Sequence, residues 1–232
     1  MSNERDKIIL EFLLKENQAT VKQLASLLFV SEPSVRRDLA RLEKQNLIKR
    51  IHGGAMIQKD ALSVGKIPFK IREYEQVTAK NTVAQKAIEL VKDNDVIFLD
   101  SSTNAYSIIP FLSRKKNITV VTNGVRTLVE LAEHNIHTIS TGGDLLGISE
   151  ALVGSVACRT IESFNADIAF FSCRGVSDNG YLTDIVPDEN HIRKQMIENA
   201  KKSYLLCTSD KFGKQYFHNL CHRDDIDGVL SE

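Results

Sequence analysis

The sequence predicts two folded parts: a small N-terminal winged helix-turn-helix, then an α/β domain with a mainly parallel sheet. Three observations predict this. Residues 20–44 hold two short amphipathic helices separated by a tight break. A basic stretch ending in Gly53-Gly54 follows them, as a hairpin would. From Thr78 onward, apolar runs of strand length alternate with helical periods.

Residues 3–16 read as a first helix with Ile8, Ile9, Phe12 and Leu13 on its apolar face, stopped at Asn17. Thr20 then starts a helix over Val21–Leu28, with Gln23 as the reciprocal partner of a capping box. The turn Phe29-Val30-Ser31 contains no glycine. Ser31 is a suitable N-cap for the next helix, and Pro33 and Ser34 fall in its first turn, where a missing N–H costs nothing. Val35, Leu39 and Leu42 form its buried stripe. Arg36, Arg37, Arg41 and Lys44 lie largely off that stripe. Alone, this helix could be any amphipathic helix with a solvated basic face. Paired with the capped helix before it and a wing after it (Lys49, Arg50 and His52), it suits the major groove of double-stranded DNA.

Charge is distributed in the same sense. Residues 1–59 carry 11 basic and 7 acidic side chains, and the remainder 19 and 23, although the whole chain is formally neutral. A basic head on an acidic body points the head toward nucleic acid. Hydrophobic content of 42% and charged content of 26% over 232 residues describe a folded chain with room for two cores. No apolar run reaches the roughly 18–20 residues of a membrane span, so no membrane partner is expected. The start, MSNERDK, has no signal-peptide core. Cys158, Cys173, Cys207 and Cys221 are widely spaced and read as reduced thiols of a cytoplasmic protein. His218, Cys221 and His222 match no zinc spacing, and no metal or cofactor is expected.

In the second part, strands are predicted at Val96–Leu99, Ile118–Val121, Ile136–Ser140, Ala166–Phe171 and Ser203–Cys207. Helices are predicted at Val83–Val91, after Asn104 as far as Leu112, and up to Glu133. Three strand ends carry small polar residues: Asp100-Ser101-Ser102-Thr103-Asn104, Thr122-Asn123-Gly124, and Thr141-Gly142-Gly143-Asp144. Ligands of open parallel sheets sit beyond such ends, where amides, hydroxyls and glycines can receive an anion. Capping alone would also use these residue types. Lys211, after a fifth strand, could add a fixed positive charge, with Asp210 orienting it or a sugar hydroxyl.

The stretch SEPSVRRDLARLEKQNLIKRIHGGA, residues 31–55, is similar to the signature of the DeoR family of bacterial transcriptional regulators. The resemblance implies a winged helix-turn-helix domain over 1–57, a linker over 58–77, and a sugar-phosphate-sensing domain over 78–232 that is similar in fold to sugar-phosphate isomerases. It places Ser31, Ser34, Arg36 and Arg37 in the recognition helix and the Asp-Lys-Phe-Gly segment at 210–213 at the ligand pocket. It makes Arg72 and Lys80, in and beside the linker, basic candidates for reaching a ligand. It also implies a repressor of sugar-metabolism genes, a phosphorylated sugar as effector, and a homodimer or homotetramer. Two positions depart from the family pattern. Ser102 stands where a glycine is usual; at positive φ it would cost about 1–2 kcal/mol. Arg174 stands where small or acidic residues are common. Two rival readings follow: an isomerase-like enzyme using Asp100, Asp184 or Glu189 as a base, and a DNA binder that senses nothing.

Overall fold

A computed structural model of the protein describes residues 2–57 and 67–232. The chain divides between Glu75 and Gln76 into two compact units.

The first unit runs α1 (Ser2–Glu16), β1 (Gln18–Thr20), α2 (Val21–Leu28), α3 (Glu32–Lys44), β2 (Ile48–Ile51), β3 (Gly54–Ile57) and α4 (Phe69–Arg72). Its core is Ile9, Leu10 and Leu13 of α1, Leu24 of α2, and Val35, Leu39 and Leu42 of α3, closed by Ile48, Ile57 and Ile71. α2 begins with the expected capping box: the Gln23 amide donates to Thr20 Oγ1 at 3.1 Å and the Thr20 amide to Gln23 Oε1 at 2.8 Å. The turn without glycine is completed by Phe29, which takes the left-handed conformation at φ +53° while its ring stays 95% exposed. The wing is a three-stranded antiparallel sheet in the order β1-β3-β2. Here a glycine is required by contact. A Cβ on Gly54 would lie 2.1 Å from the Ala19 carbonyl oxygen, so only glycine lets β1 and β3 approach. The expected linker is partly folded: Phe69 and Ile71 are buried, and Ile71 belongs to the first core. The rest of that linker, 58–66, lies outside the described residues.

The second unit runs α5 (Val77–Leu90), β4 (Val96–Leu99), α6 (Thr103–Tyr106), α7 (Ile109–Leu112), β5 (Thr119–Thr122), α8 (Val125–Glu133), β6 (His137–Ser140), β7 (Asp144–Leu146), β8 (Ala151–Val153), α9 (Ser155–Glu162), β9 (Ile168–Phe171), β10 (Gly175–Val176), β11 (Tyr181–Asp184), α10 (Pro187–Glu198), β12 (Ser203–Leu206), β13 (His218–His222) and β14 (Gly228–Leu230). Six strands form one parallel sheet, β14-β12-β9-β4-β5-β6. Alternate side chains feed two cores. Ile97, Leu99 and Val120 meet α5, α6 and α7, whereas Phe98, Val121 and Ala169 meet α9 and α10. From β4 the order grows one way through β5 and β6, and the other way through β9, β12 and β14. The topological switch point therefore lies between β4 and β9, where a crevice opens beyond the strand ends.

Helix α5 starts six residues before the expected Val83 because its first turns are polar and carry no apolar period. The helix expected through Leu112 is two short ones, with Pro110 in the first turn of α7. The β7–β8 hairpin, α9, α10 and the small sheet β10-β11-β13 were not expected from the sequence.

Phe29 offers a direct test of the turn. Phe29→Gly removes a left-handed non-glycine residue at almost no loss of burial, so urea denaturation should show a gain of about 1 kcal/mol. A loss of stability would show that the exposed ring does structural work.

Candidate functional site: a helix-turn-helix head and a polar cluster at the strand ends

In the first unit, the open side of α3 carries exposed Arg36 and Arg37. Arg36 sits 3.5 Å from Glu32, an exposed pair of little energetic weight. Arg37 donates to Ser34 Oγ at 3.3 Å. Ser31 occupies the N-cap position, but its hydroxyl meets Ser34 Oγ at 3.0 Å instead of capping an amide. Both hydroxyls therefore stand at the exposed start of the helix. On the wing, Lys49, Arg50 and His52 are exposed. Arg50 Nε donates to Glu43 at 2.6 Å, tying the wing to α3.

Arg41 is differently employed. It donates to Asp6 at 3.1 Å and to Asp38 at 2.8 Å, and the Asp6 hydrogen bond foremost raises its pKa above the ordinary value. Asp38 has a 2%-exposed side chain and also receives Arg5. This network locks α1 to α3, so Arg41 aims the recognition helix while Arg36 and Arg37 remain open. Sequence periodicity put all three arginines off the stripe. It missed Asp38 because an acidic residue beside arginines reads as surface.

In the second unit, the switch point is held by one serine and one arginine, neither singled out by the sequence. Ser172, at the end of β9, accepts Asn104 Nδ2 at 3.2 Å and Lys211 Nζ at 2.7 Å, and donates to the Leu206 carbonyl at 2.7 Å. It thereby joins the β4, β9 and β12 ends. Asp100 accepts the Ser102 amide at 3.0 Å, the Ser172 amide at 3.2 Å and Arg193 Nε at 2.9 Å. Arg193, 5% exposed at its side chain, also donates to Asp184 at 2.9 Å, Asn190 at 3.0 Å and Glu189 at 2.8 Å. Burial disfavours charge on both partners. For Arg193, Asp184, Glu189 and Asp100 outweigh it and raise the pKa. For Asp184, burial pushes upward, but Arg193, the Ile185 amide, Arg174 and Lys211 hold the carboxyl below its ordinary value. Neither α10 nor its i,i+4 pair of Glu189 and Arg193 was expected from the sequence, and nothing local marks the partners of Arg193 as buried.

The remaining expected residues fall into separate groups. Ser102 sits at φ −79°, caps α6 by accepting the Ala105 amide at 3.1 Å, and incurs no left-handed cost. Ser101 and Thr103 are buried beside it. Asn104 is 2% exposed, and its Oδ1 has no hydrogen-bond partner. Thr122 Oγ1 accepts the Gly124 amide at 3.1 Å. Asn123 bonds Leu152 through both side chain and backbone, so this loop anchors the β7–β8 hairpin. Gly143 does permit a close approach, but to the chain itself: its Cβ would lie 2.3 Å from the Val153 carbonyl oxygen. Gly142, at φ +64°, has more room. Asp210 faces Lys214 at 3.8 Å and not Lys211. Lys80 is buried on α5, and Arg72 belongs to the first unit, where Nε donates to the Ile67 carbonyl at 3.1 Å. His218 meets Asn190, and His222 caps the turn at 223–225.

Residues 5–61 match the DeoR-like helix-turn-helix domain, and residues 75–232 match the DeoR C terminal sensor domain. An uncharacterized HTH-type transcriptional regulator, YulB of Bacillus subtilis, is 32% identical over 99% of this chain and 88% of its own. The L-fucose operon activator of Haemophilus influenzae is 32% identical over 99% and 92%. Among solved structures, eIF2B delta from Chaetomium thermophilum shares the fold at TM-score 0.52 and 16% identity, over 67% of this chain and 56% of that one. The head and the second unit together define a DNA-binding transcriptional regulator with a sensor domain, not an enzyme. Within that class, the chain belongs to the DeoR family. Among the described residues, no helix is long and apolar enough to cross a membrane.

Arg193 gives this site a pH signature. Asp184 pairing stabilises the fold above the ordinary carboxylate range and is lost as pH falls through the lowered value. Arg193→Met should cost about 3–5 kcal/mol at pH 7 because it strands three buried carboxylates. Its stability should then rise on acidification from pH 7 to pH 5, whereas the wild type, whose Asp184 pairing is lost only below the ordinary carboxylate range, should stay level. Urea denaturation at the two pH values checks this; parallel pH profiles would refute the hub.

Proposed function

We propose that the chain is a cytoplasmic repressor of sugar-metabolism genes. It binds double-stranded operator DNA as a homodimer or homotetramer, and a phosphorylated sugar at the strand-end cluster modulates that binding. The observation that carries the effector reading is Lys211. Its ammonium reaches only neutral acceptors, Ser172 Oγ and the Cys173 carbonyl at 2.8 Å, with no carboxylate within 4.0 Å among the described residues. A half-buried cation without a counter-ion, beside the buried and half-satisfied Asn104, suits an anionic, hydroxyl-bearing ligand.

The general-base alternative fits poorly. All three candidate carboxylates are occupied by Arg193, and Asp184 is held below its ordinary pKa, which makes it a weaker base. Repression needs only occupancy of a promoter, which the head supplies. Assembly of several heads supports specificity, since one recognition helix reads few base pairs. A ligand that binds one arrangement better than another biases how the heads are presented.

The test begins with selection of bound DNA sequences with and without a phosphosugar mixture. On the selected operator, fluorescence anisotropy should show Arg37→Ala weakening binding by roughly 1–3 kcal/mol with unchanged circular dichroism. Arg41→Ala should instead lose about 1–3 kcal/mol of fold stability, because it leaves buried Asp38 short of a partner. Unchanged affinity for Arg37→Ala would sink the recognition-helix assignment. Thermal-shift screening against phosphosugars should find one that raises the melting temperature of the wild type and not of Lys211→Ala. An operator without any phosphosugar response points to a non-sensing DNA binder.

A further inference from the structure

The sequence departure at Arg174 places a second, more loosely paired cation beside Asp184. Arg174 begins the turn into β10, and its amide donates to the Thr183 carbonyl at 3.0 Å. Its side chain is 21% exposed, yet no hydrogen bond from the guanidinium is found among the described residues. Among the described residues its ion-pair partner within 4.0 Å is Asp184, with Nε 3.6 Å from Oδ1, beyond hydrogen-bond range. Asp184 does not need it. The Asp184 carboxylate already receives Arg193 at 2.9 Å and the Ile185 amide at 2.7 Å. None of its nitrogens is both buried and unpartnered, so the guanidinium reaches water and its donors are open to an arriving acceptor.

Two cations issue from this corner. Lys211 holds the carbonyl of Cys173, the residue directly before Arg174, at 2.8 Å. The acidic groups are turned away: Asp100, Asp184 and Glu189 are at most 9% exposed at their side chains and converge on Arg193. Arg193 offsets one of these three charges, and Lys211 and Arg174 bring the cluster to three cations against three carboxylates; the carboxylates are tied to Arg193, whereas the two outer cations keep donors available. An ammonium serves as a point charge for one anionic group, and a planar guanidinium presents a fork matched to a second phosphate or carboxylate.

We infer that the effector carries a second acidic group besides its sugar phosphate, as a bisphosphorylated sugar or a phosphorylated sugar acid, and that Arg174 is the residue that selects it. The inference rests on reading the strand-end cluster as the phosphosugar site. Isothermal titration on the full chain tests it with three probe sets: pentose and hexose monophosphates, the corresponding bisphosphates, and phosphorylated aldonic acids. At least one dianionic probe should bind ten times more tightly than the matching monophosphate. Arg174→Ala should bring that ratio close to one, Arg174→Lys should keep part of it, and Lys211→Ala should weaken every probe that binds. The melting temperature of each Arg174 variant shows whether it is folded. Monophosphates bound as tightly as their dianionic counterparts, or a ratio unchanged in Arg174→Ala, would overturn the role of Arg174 and leave the phosphosugar site standing. Failure of all three probe sets to bind would overturn both.

Discussion

A single buried cation organises the sensor domain. Arg193 projects from α10 into the crevice between β4 and β9, and there it meets Asp100 from the β4 end, Asp184 from β11 and Glu189 one turn back on its own helix. Removing four such charges from water is costly, and the arrangement is tolerable because nearly every donor on the guanidinium finds an acceptor at hydrogen-bond distance. The return is geometric. Asp100 is fixed from one side by Arg193 and from the other by the Ser102 and Ser172 amides, so the loops after β4 and β9 cannot move independently. Ser172 then carries that order to Asn104 and Lys211. A rigid floor, with its carboxylates tied to Arg193, follows from this one set of contacts.

The same device recurs in miniature in the head. Asp38 lies buried between Arg5 and Arg41, and Asp6 completes the network that joins α1 to α3. In both units, buried ion pairs set angles, and exposed cations nearby are left for a ligand. Arg41 and Arg37, four residues apart on one helix, are thus placed differently: Arg41 ties the helix to α1, and Arg37 stays exposed.

The helix-turn-helix was legible because local chemistry specifies it: the Thr20–Gln23 box, the Val35-Leu39-Leu42 stripe, and the Gly53-Gly54 wing are all short-range. The five strands Val96 to Leu206 were legible because buried parallel strands read as apolar runs. What escaped were features made by pairing across the chain. Arg193 finds Asp100 at a separation of 93 residues, and Ser172 finds Lys211 across 39. The polar loops after β5 and β6 looked like ligand loops, yet Asn123 and Gly143 are used by the β7–β8 hairpin, since closing a hairpin onto a sheet and cradling a phosphate call for the same residue types. The turn at Phe29-Val30-Ser31 was legible, but not the left-handed backbone of Phe29, which is normally the province of glycine.

In the proposed function, the strand-end cluster and the DNA-reading head are two ends of one equilibrium. Linkage makes this reciprocal: whatever factor a phosphosugar imposes on operator affinity, the operator imposes on phosphosugar affinity. The most direct measurement is therefore calorimetric titration of the full chain with a phosphosugar that binds it, once free and once saturated with operator DNA. The expected affinities differ by the same factor as the phosphosugar shifts operator binding, on the order of 5–150-fold. Equal phosphosugar affinities with and without DNA would contradict it.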